Sequence, residues 1–280
     1  MNYIDHIKHL NNYDPQQHTP FVVDNKIVGS IRHDNVAYIL SQALFLEKEG
    51  NIILDEKYND IVSRNQILDI FAEQASKDKM TNGYMNEPYP IIETPSSEPL
   101  ALVDRSVSTL LGLISFGQHM NGYLYKEGKM MMWIARRSYT RGYEAGKLDH
   151  VVAGGLPYGI DLMENLLKEC DEEANISPEL AKKVKEVGYV SYKHEYSQGG
   201  KTDILYCYDL ELPEDFVPVC NDGEVEEFYL MPIEEVMEIV KNSYDFKGNC
   251  NLVLVDFFIR HGLIGAEHPD YLELGRGLKR

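Results

Sequence analysis

Three glutamates, Glu169, Glu172 and Glu173, crowd the end of the stretch GGLPYGIDLMENLLKECDEEANI, residues 154–176. If that stretch is helical, their spacing makes them neighbours, and like charges at i, i+3 and i, i+4 destabilise a helix by about 0.2–0.5 kcal/mol per pair. A cation would offset that cost. Hard divalent ions such as Mg²⁺ or Mn²⁺ prefer oxygen donors of this kind, and Mg²⁺ usually keeps several waters, which leaves room for substrate phosphates. A solvated acidic face is the plainer reading of an acidic run, but the preceding residues argue for chemistry. Gly154 and Gly155 close the apolar segment LDHVVAGG, and Gly159 lies just before Asp161, a helix cap with Glu164 at capping-box distance. Strand, glycine loop and carboxylate-bearing helix form an arrangement for placing metal beside a phosphate chain.

The surrounding elements follow from periodicity. A helix is expected over residues 162–174, with Leu162, Met163, Leu166, Leu167, Cys170 and Ala174 on one arc and the three glutamates on another about 100° wide. After a short polar leader, FVVDNKIVGSI reads as two strands about a turn at residues 24–26. VAYILSQALFL and SRNQILDIFAEQASKDK read as helices, the second with Ser63 as N-cap. NEPYPIIETPSSEPLALVD breaks the pattern as a linker or long loop would, which places a boundary near residues 100–115. Beyond it, HMNGYLYKEGKMMMWIARRS predicts a hairpin turning at residues 126–129. VGYVSYKHEY and KTDILYCYDLEL predict two more strands joined at residues 197–200. EVEEFYLMPIEEVMEIVKN predicts a strand running into a helix, and NLVLVDFFIRHG a closing helix.

Composition bounds the rest. With 280 residues, 44% hydrophobic and 26% charged, the chain can bury one large core or two smaller ones. No apolar run approaches the roughly 20 residues of a membrane helix, and the amino end lacks the apolar core of a signal peptide, so a cytoplasmic protein is expected. Cys170, Cys207, Cys220 and Cys250 lack CxxC spacing and read as reduced, mostly core, thiols. A net charge of −18 argues against nucleic-acid or anionic-membrane partners. If the substrate carries phosphate, metal ions must screen it.

Residues 154–176 resemble the Nudix box, GX5EX7REUXEEXGU, in which U is apolar. Gly154 falls on the first glycine, Glu169 on the glutamate of the RE pair, Glu172 and Glu173 on the EE pair, and Ile176 on the last apolar position. Ile160 stands where the first glutamate is expected, Lys168 replaces arginine, and Asn175 replaces the last glycine, a conservative exchange at a left-handed helix end. LDHVVAGGLPYGI, DILYCYDLELPEDFVPVCNDGEVEEFYLMP and NCNLVLVDFFIRHG resemble one Nudix subgroup, found in fungal and plant thiamine-diphosphate-related hydrolases. FVVDNKIVGSI, NGYMNEPYPI and FGQHMNGYLY resemble the DUF4743 module that precedes its Nudix domain, with Tyr84-Met85 where the module usually has Trp-Arg. The thiamine pyrophosphokinase domain that some fungal relatives append is not expected here.

The resemblance implies an α/β fold, a Nudix α/β/α sandwich with a mixed sheet over residues 113–280, preceded by a small α+β domain over residues 1–112. It implies Mg²⁺- or Mn²⁺-dependent hydrolysis of thiamine diphosphate, or of its oxidised analogues, to the monophosphate and phosphate. By family position the metal ligands are Glu173, Glu172, Glu169 and the Gly154 carbonyl. Glu169 is either ligand or general base, Lys168 orients a carboxylate, and Glu224 is an additional ligand or base. Arg136, Arg137 and Gly155 are the candidate diphosphate-binding residues. His119 and His150 lack metal-ligand spacing and read as hydrogen-bonded structural histidines, and Trp133 as core. Two further readings stay open: a Nudix hydrolase of ADP-ribose, a dinucleotide or a nucleotide sugar, and a non-catalytic Nudix-fold binding module. The expected partner is a small-molecule diphosphate, and a homodimer is one assembly the reading allows.

Overall fold

The structure is a computed structural model that describes residues 1–140 and 142–280. An amino-terminal sheet of four strands has the order β2-β1-β4-β3, from β1 (His18–Val23), β2 (Lys26–Arg32), β3 (Phe45–Lys48) and β4 (Asn51–Leu54). Asp24 and Asn25 turn between β1 and β2 with φ of 53° and 60°, the left-handed pair that a tight two-residue hairpin requires. Helices α2 (His33–Ser41) and α3 (Ile61–Lys77) cover this sheet around a core that includes Phe21, Ile39, Leu68 and Phe71. The N-cap of α3 is Asp60 rather than Ser63: its carboxylate accepts from the Val62 and Ser63 amides at 2.9 and 3.0 Å. Ser63 instead donates its hydroxyl to Asp60.

The proline-rich segment expected as linker contains a short hairpin, β5 (Pro88–Ile91) with β6 (Ala101–Asp104). Its Pro88 and Pro90 are tolerated because a two-stranded ribbon leaves half of its backbone amides outside the ladder.

The second sheet has seven strands. It runs β11-β12-β7-β8-β13, from β7 (Ile114–Lys126), β8 (Lys129–Arg137), β11 (Lys185–Tyr196), β12 (Gly199–Glu211) and β13 (Val225–Pro232). Short strands β9 (Leu148–His150) and β10 (Val152–Gly155) pair with β8 and β7 respectively. Strand β12 is parallel to β7 and the other pairs are antiparallel, so the sheet is mixed. Alternating side chains feed two cores. Met120, Leu124, Tyr208 and Leu210 face α4 (Leu162–Ala174) and α5 (Pro178–Ala181). Tyr123, Ile134, Leu205 and Cys207 face α6 (Ile233–Asn242), α7 (Gly248–Arg260) and α8 (Tyr271–Gly277). This is the expected α/β/α sandwich. No helix among the described residues is long and apolar enough to cross a membrane.

The polar leader also folds. Residues Tyr3–Leu10 form α1, capped by Asn2, and bury Tyr3, Ile7 and Leu10 in the second core beside α7 and α8. The first helix of the chain therefore supports the carboxy-terminal half. Ile7→Ala should cost about 2–4 kcal/mol, read as a lower urea midpoint for unfolding of that half; an unchanged midpoint would mean that α1 is not an integral part of that core.

Candidate active site

Strand β10 leads into the site. From Gly155 the chain bends away, with the Leu156 amide donating to the Phe116 carbonyl at 3.1 Å, and Gly159 turns it at φ 91° toward the helix. Asp161 caps α4 by accepting from the Met163 amide at 2.9 Å, while Glu164 stays exposed. Two buried side chains that the sequence pattern did not single out lock loop to helix. Asn165 donates to the Gly155 carbonyl at 2.9 Å and to Gln118 at 2.7 Å, and Gln118 donates to the Leu162 carbonyl at 2.8 Å. At the other end, Asn175 takes the left-handed conformation (φ 52°, ψ 39°). Asn221 then donates to the Glu172 carbonyl from its amide and to the Asp171 carbonyl from its side chain, at 2.9 and 2.7 Å. That docking brings residues 221–224 against the last turn of α4.

The carboxylates occupy three environments. Glu173 is 7% exposed and accepts from the Ala153 amide at 2.7 Å. Glu169, 15% exposed in its side chain, packs on Gly154 so closely that a Cβ there would lie 2.7 Å from its Oε1. Only glycine leaves room for it. Glu172 faces outward and pairs with Lys168 at 2.8 Å; Lys168 Nζ is also 3.5 Å from Glu169. Burial pushes the Glu173 carboxyl well above its usual range, against the Ala153 hydrogen bond, and Asp149, Glu169 and Glu224 push it the same way. Burial also raises Glu169, with Glu172 and Glu224 adding to the shift and Lys168 opposing it. Glu224 therefore stands close enough to act on both. Its amide is fixed by Asp222 at 2.8 Å and its carbonyl accepts from the Ser138 amide at 2.9 Å. A concentration of repelling, partly buried oxygen donors beside a glycine loop fits a hard divalent cation.

The candidate arginines lie elsewhere. Arg136 donates to the Tyr229 hydroxyl and the Gly146 carbonyl at 2.9 and 2.8 Å, beside Glu227 on β13. Arg137 is bound to Asp149 at 2.8 Å and to the Tyr143 carbonyl at 3.1 Å. Both half-buried guanidinium groups thus bind protein acceptors, although Arg137 Nε has none. Of the three candidate substrate contacts, Gly155 alone stands at the carboxylates. Trp133 is buried in the core that faces α4.

His119 and His150 do meet, Nδ1 to Nδ1 at 2.9 Å, next to Asp149 and Cys250. One ligand atom from each of these four buried residues lies within 4.8 Å of the others. The grouping was invisible in sequence because it joins β7, β9 and α7. Asp149 already carries two cations, Arg137 and Lys247 at 2.8 and 3.3 Å, and these oppose the approach of a third positive charge. Burial alone would raise the Asp149 carboxyl, but Lys247, His119 and Arg137 hold it well below the usual carboxylate range. Burial leaves His150 neutral, with its pKa lowered to about 4.

The comparisons with known proteins agree on one family. The model of a domain of unknown function, DUF4743, matches residues 2–115, and the NUDIX domain model matches residues 119–248. The chain is 39% identical over 270 residues to "Nudix hydrolase 24, chloroplastic" of Arabidopsis thaliana, covering 93% of this chain and 72% of that relative. It is 37% identical over 270 residues, with the same coverage, to "Nudix hydrolase 20, chloroplastic" of the same plant. The chain belongs to the Nudix hydrolase family. As a Nudix hydrolase it acts on phosphorus-containing anhydrides, a chemistry for which family members generally need a divalent metal. Among solved structures, a Caenorhabditis elegans Ap4A hydrolase binary complex matches 51% of this Nudix hydrolase and 97% of its own chain, at 17% identity and a TM-score of 0.37.

Asp149→Asn should destabilise the protein by about 3–5 kcal/mol at pH 7, because it strands Arg137 and Lys247 without their anion. The native carboxyl pKa lies below the unfolded value of about 3.9. Its stabilisation is therefore complete above that value and is lost as pH falls through and below it. The gap between the urea midpoints of the two proteins should be constant above about pH 5 and begin to narrow as pH falls below about 3.9; a gap that is independent of pH would show that charge is not the cause.

Proposed function

We propose that the chain is a Mg²⁺- or Mn²⁺-dependent pyrophosphohydrolase that cleaves thiamine diphosphate, or its oxidised analogues, to the monophosphate and phosphate. The hydrolytic part of this reading is carried by one observation: Glu169 and Glu173 lie at the glycine loop with Glu224 near enough to act on both, each carboxyl raised chiefly by burial and further by neighbouring carboxylates. The thiamine part rests on the resemblance that spans nearly the whole chain.

The residues present fit a divalent ion: Glu173 and Glu224, with the Gly154 carbonyl, would hold it, which leaves Glu169 as the base. When bound, such an ion lowers the pKa of a coordinated water and neutralises phosphate charge. The chain's own groups do the rest. Glu169, raised by burial, accepts the proton of the attacking water. As the water oxygen bonds to phosphorus, the bond from phosphorus to the bridging oxygen breaks and phosphate leaves. Lys168 holds Glu172 at 2.8 Å and reaches toward Glu169, which fixes the rotamers of both.

The amino-terminal module, residues 1–112 in this reading, supplies selectivity to the hydrolase domain of residues 113–280. A groove of about 410 Å³ in that module is lined by Asp69, Tyr84, Glu87 and Asp104 among others. Three carboxylates and an aromatic ring suit a cationic heterocycle. Glu87 also pairs with Arg105, which lies against Gly155.

Phosphate release from thiamine diphosphate, oxythiamine diphosphate, ADP-ribose, NADH and a phosphatase-treated nucleotide sugar tests the reading. Thiamine compounds should be turned over preferentially. Chelation should abolish turnover, and Glu173→Gln should lower kcat/KM by about 100-fold or more. Preference for a nucleotide would overturn the substrate assignment. No metal-dependent turnover on any compound, together with unchanged ligand affinity in Glu173→Gln, would make the chain a binding module.

A further inference from the structure

A groove of about 710 Å³ opens between α1 and α8, beside the outermost strand β11. It lies away from the glycine loop, because β12 and β7 stand between β11 and β10 in the sheet. Three stretches distant in sequence make its walls. Residues 11–13 leave α1 and run along β11, where the Tyr13 amide donates to the Lys193 carbonyl at 3.4 Å and Asn11 Oδ1 accepts from the Lys193 amide at 3.4 Å. The end of α8 closes the other side. There Asn11 donates to the Gly277 carbonyl at 3.2 Å, and the Ser191 amide of β11 donates to the Leu278 carbonyl at 2.9 Å.

The lining is positive in a chain whose net charge is −18. Lys8, Lys193, Arg276 and Arg280 line the groove against one acidic side chain, Glu273. Among the described residues, none of these four cationic side chains makes a hydrogen bond or an ion pair. Lys193 is half-buried, and its ammonium lies 3.6 Å from the centre of the Tyr13 ring. Tyr13 is itself fixed by its hydroxyl, which donates to Ser30 at 2.9 Å. Glu195, the nearest acid along the strand, lies 3.2 Å from His18 Nε2 instead. Burial lowers the Lys193 pKa, with Glu195 opposing. The ring offsets part of that desolvation, and an anion in the groove would offset more. The volume is that of a small-molecule site, and ammonium and guanidinium groups spread over three elements are donors that phosphate oxygens accept. An anionic membrane fits less well, because the groove is concave and the net negative charge of the chain repels such a surface. We propose that this groove binds a small phosphate-bearing anion through Lys8, Lys193 and Arg276, at a site separate from the hydrolytic centre. Bound there, the anion bridges α1, β11 and α8.

Inorganic pyrophosphate is the probe, titrated by calorimetry into the full-length protein in EDTA, which removes divalent ions and leaves the carboxylates at the glycine loop to repel it. The protein should bind pyrophosphate at a single site, with an affinity that falls as KCl is raised, and pyrophosphate should raise the melting temperature. Arg276→Gln and Lys193→Gln should each weaken binding by about 10-fold, from the worth of a charge-assisted contact, and Glu273→Gln should strengthen it several-fold. Absence of binding overturns the proposal, as does wild-type affinity in folded Arg276→Gln. If Lys193→Gln does not fold, the opposite shifts of Arg276→Gln and Glu273→Gln, both at exposed positions on α8, decide. Sedimentation with vesicles of phosphatidylcholine and phosphatidylserine tests the other source of phosphate. Vesicle binding that Arg276→Gln removes, without binding of pyrophosphate, overturns the small-molecule site and assigns the same cations to a lipid surface.

Discussion

A carboxylate that is almost out of water sets the terms for this structure. Glu173 sits at 7% exposure on the sheet side of α4, where ionisation is opposed by burial and by Asp149, Glu169 and Glu224. Left to relax, α4 would roll or slide to bring that group to solvent. Hydrogen bonds at both ends prevent it. Asn165 and Gln118 tie the first turns to the glycine loop, and Asn221 ties the last turn to the segment that carries Glu224. The absence of a side chain at Gly154 then lets Glu169 settle on the same floor. The fold thus holds several partly buried carboxylates at one end of α4 against their mutual repulsion.

The interior behind β10 carries the opposite sign. Arg137 and Lys247 outnumber Asp149 there, and the charge of Glu173 acts on Lys247 in turn. Two buried cations and two buried anions thus face one another across β9 and β10, which places the carboxylate end of α4 in an electrostatic balance that spans the sheet. Withdrawing Arg137 from that balance would leave Asp149 half-paired.

Local chemistry was legible in the sequence, and long-range association was not. The bounds of α4, Leu162–Ala174, follow from the Asp161 cap, the apolar spacing and an asparagine able to turn left-handed, all within one short stretch. The β7–β8 and β11–β12 hairpins follow equally from alternation and turn residues. The first helix escaped because Tyr3, Ile7 and Leu10 look like a sparse apolar pattern until α7 and α8, more than two hundred residues later, cover them. The β5–β6 hairpin escaped because its prolines mimic a linker. Arg105 has no motif at all. Its place against Gly155, fifty residues away, comes from the fold alone. The histidine pair failed a spacing test that applies only to ligands on one element, and Arg136 and Arg137 looked available because strand-end arginines usually are.

Two of the three departures from the Nudix pattern compensate one another. Where the family often pairs an early glutamate with the arginine of the RE dipeptide, this chain has Ile160 and Lys168, and neither leaves a stranded charge. Lys168 finds its anion one turn along the same helix, at Glu172, a favourable i, i+4 geometry, although the lysine precedes the glutamate and so gains less from the helix dipole than the reverse order would. The exchange has a consequence for the site. Glu172 is held outward by that pair, Glu173 is buried, Glu169 and Glu224 are half-buried, and the lysine stands beside Glu169. A shorter, more flexible cation in place of arginine thus couples one metal-facing carboxylate to one solvent-facing carboxylate, and the helix keeps its acidic face without the partner that the pattern assigns to it.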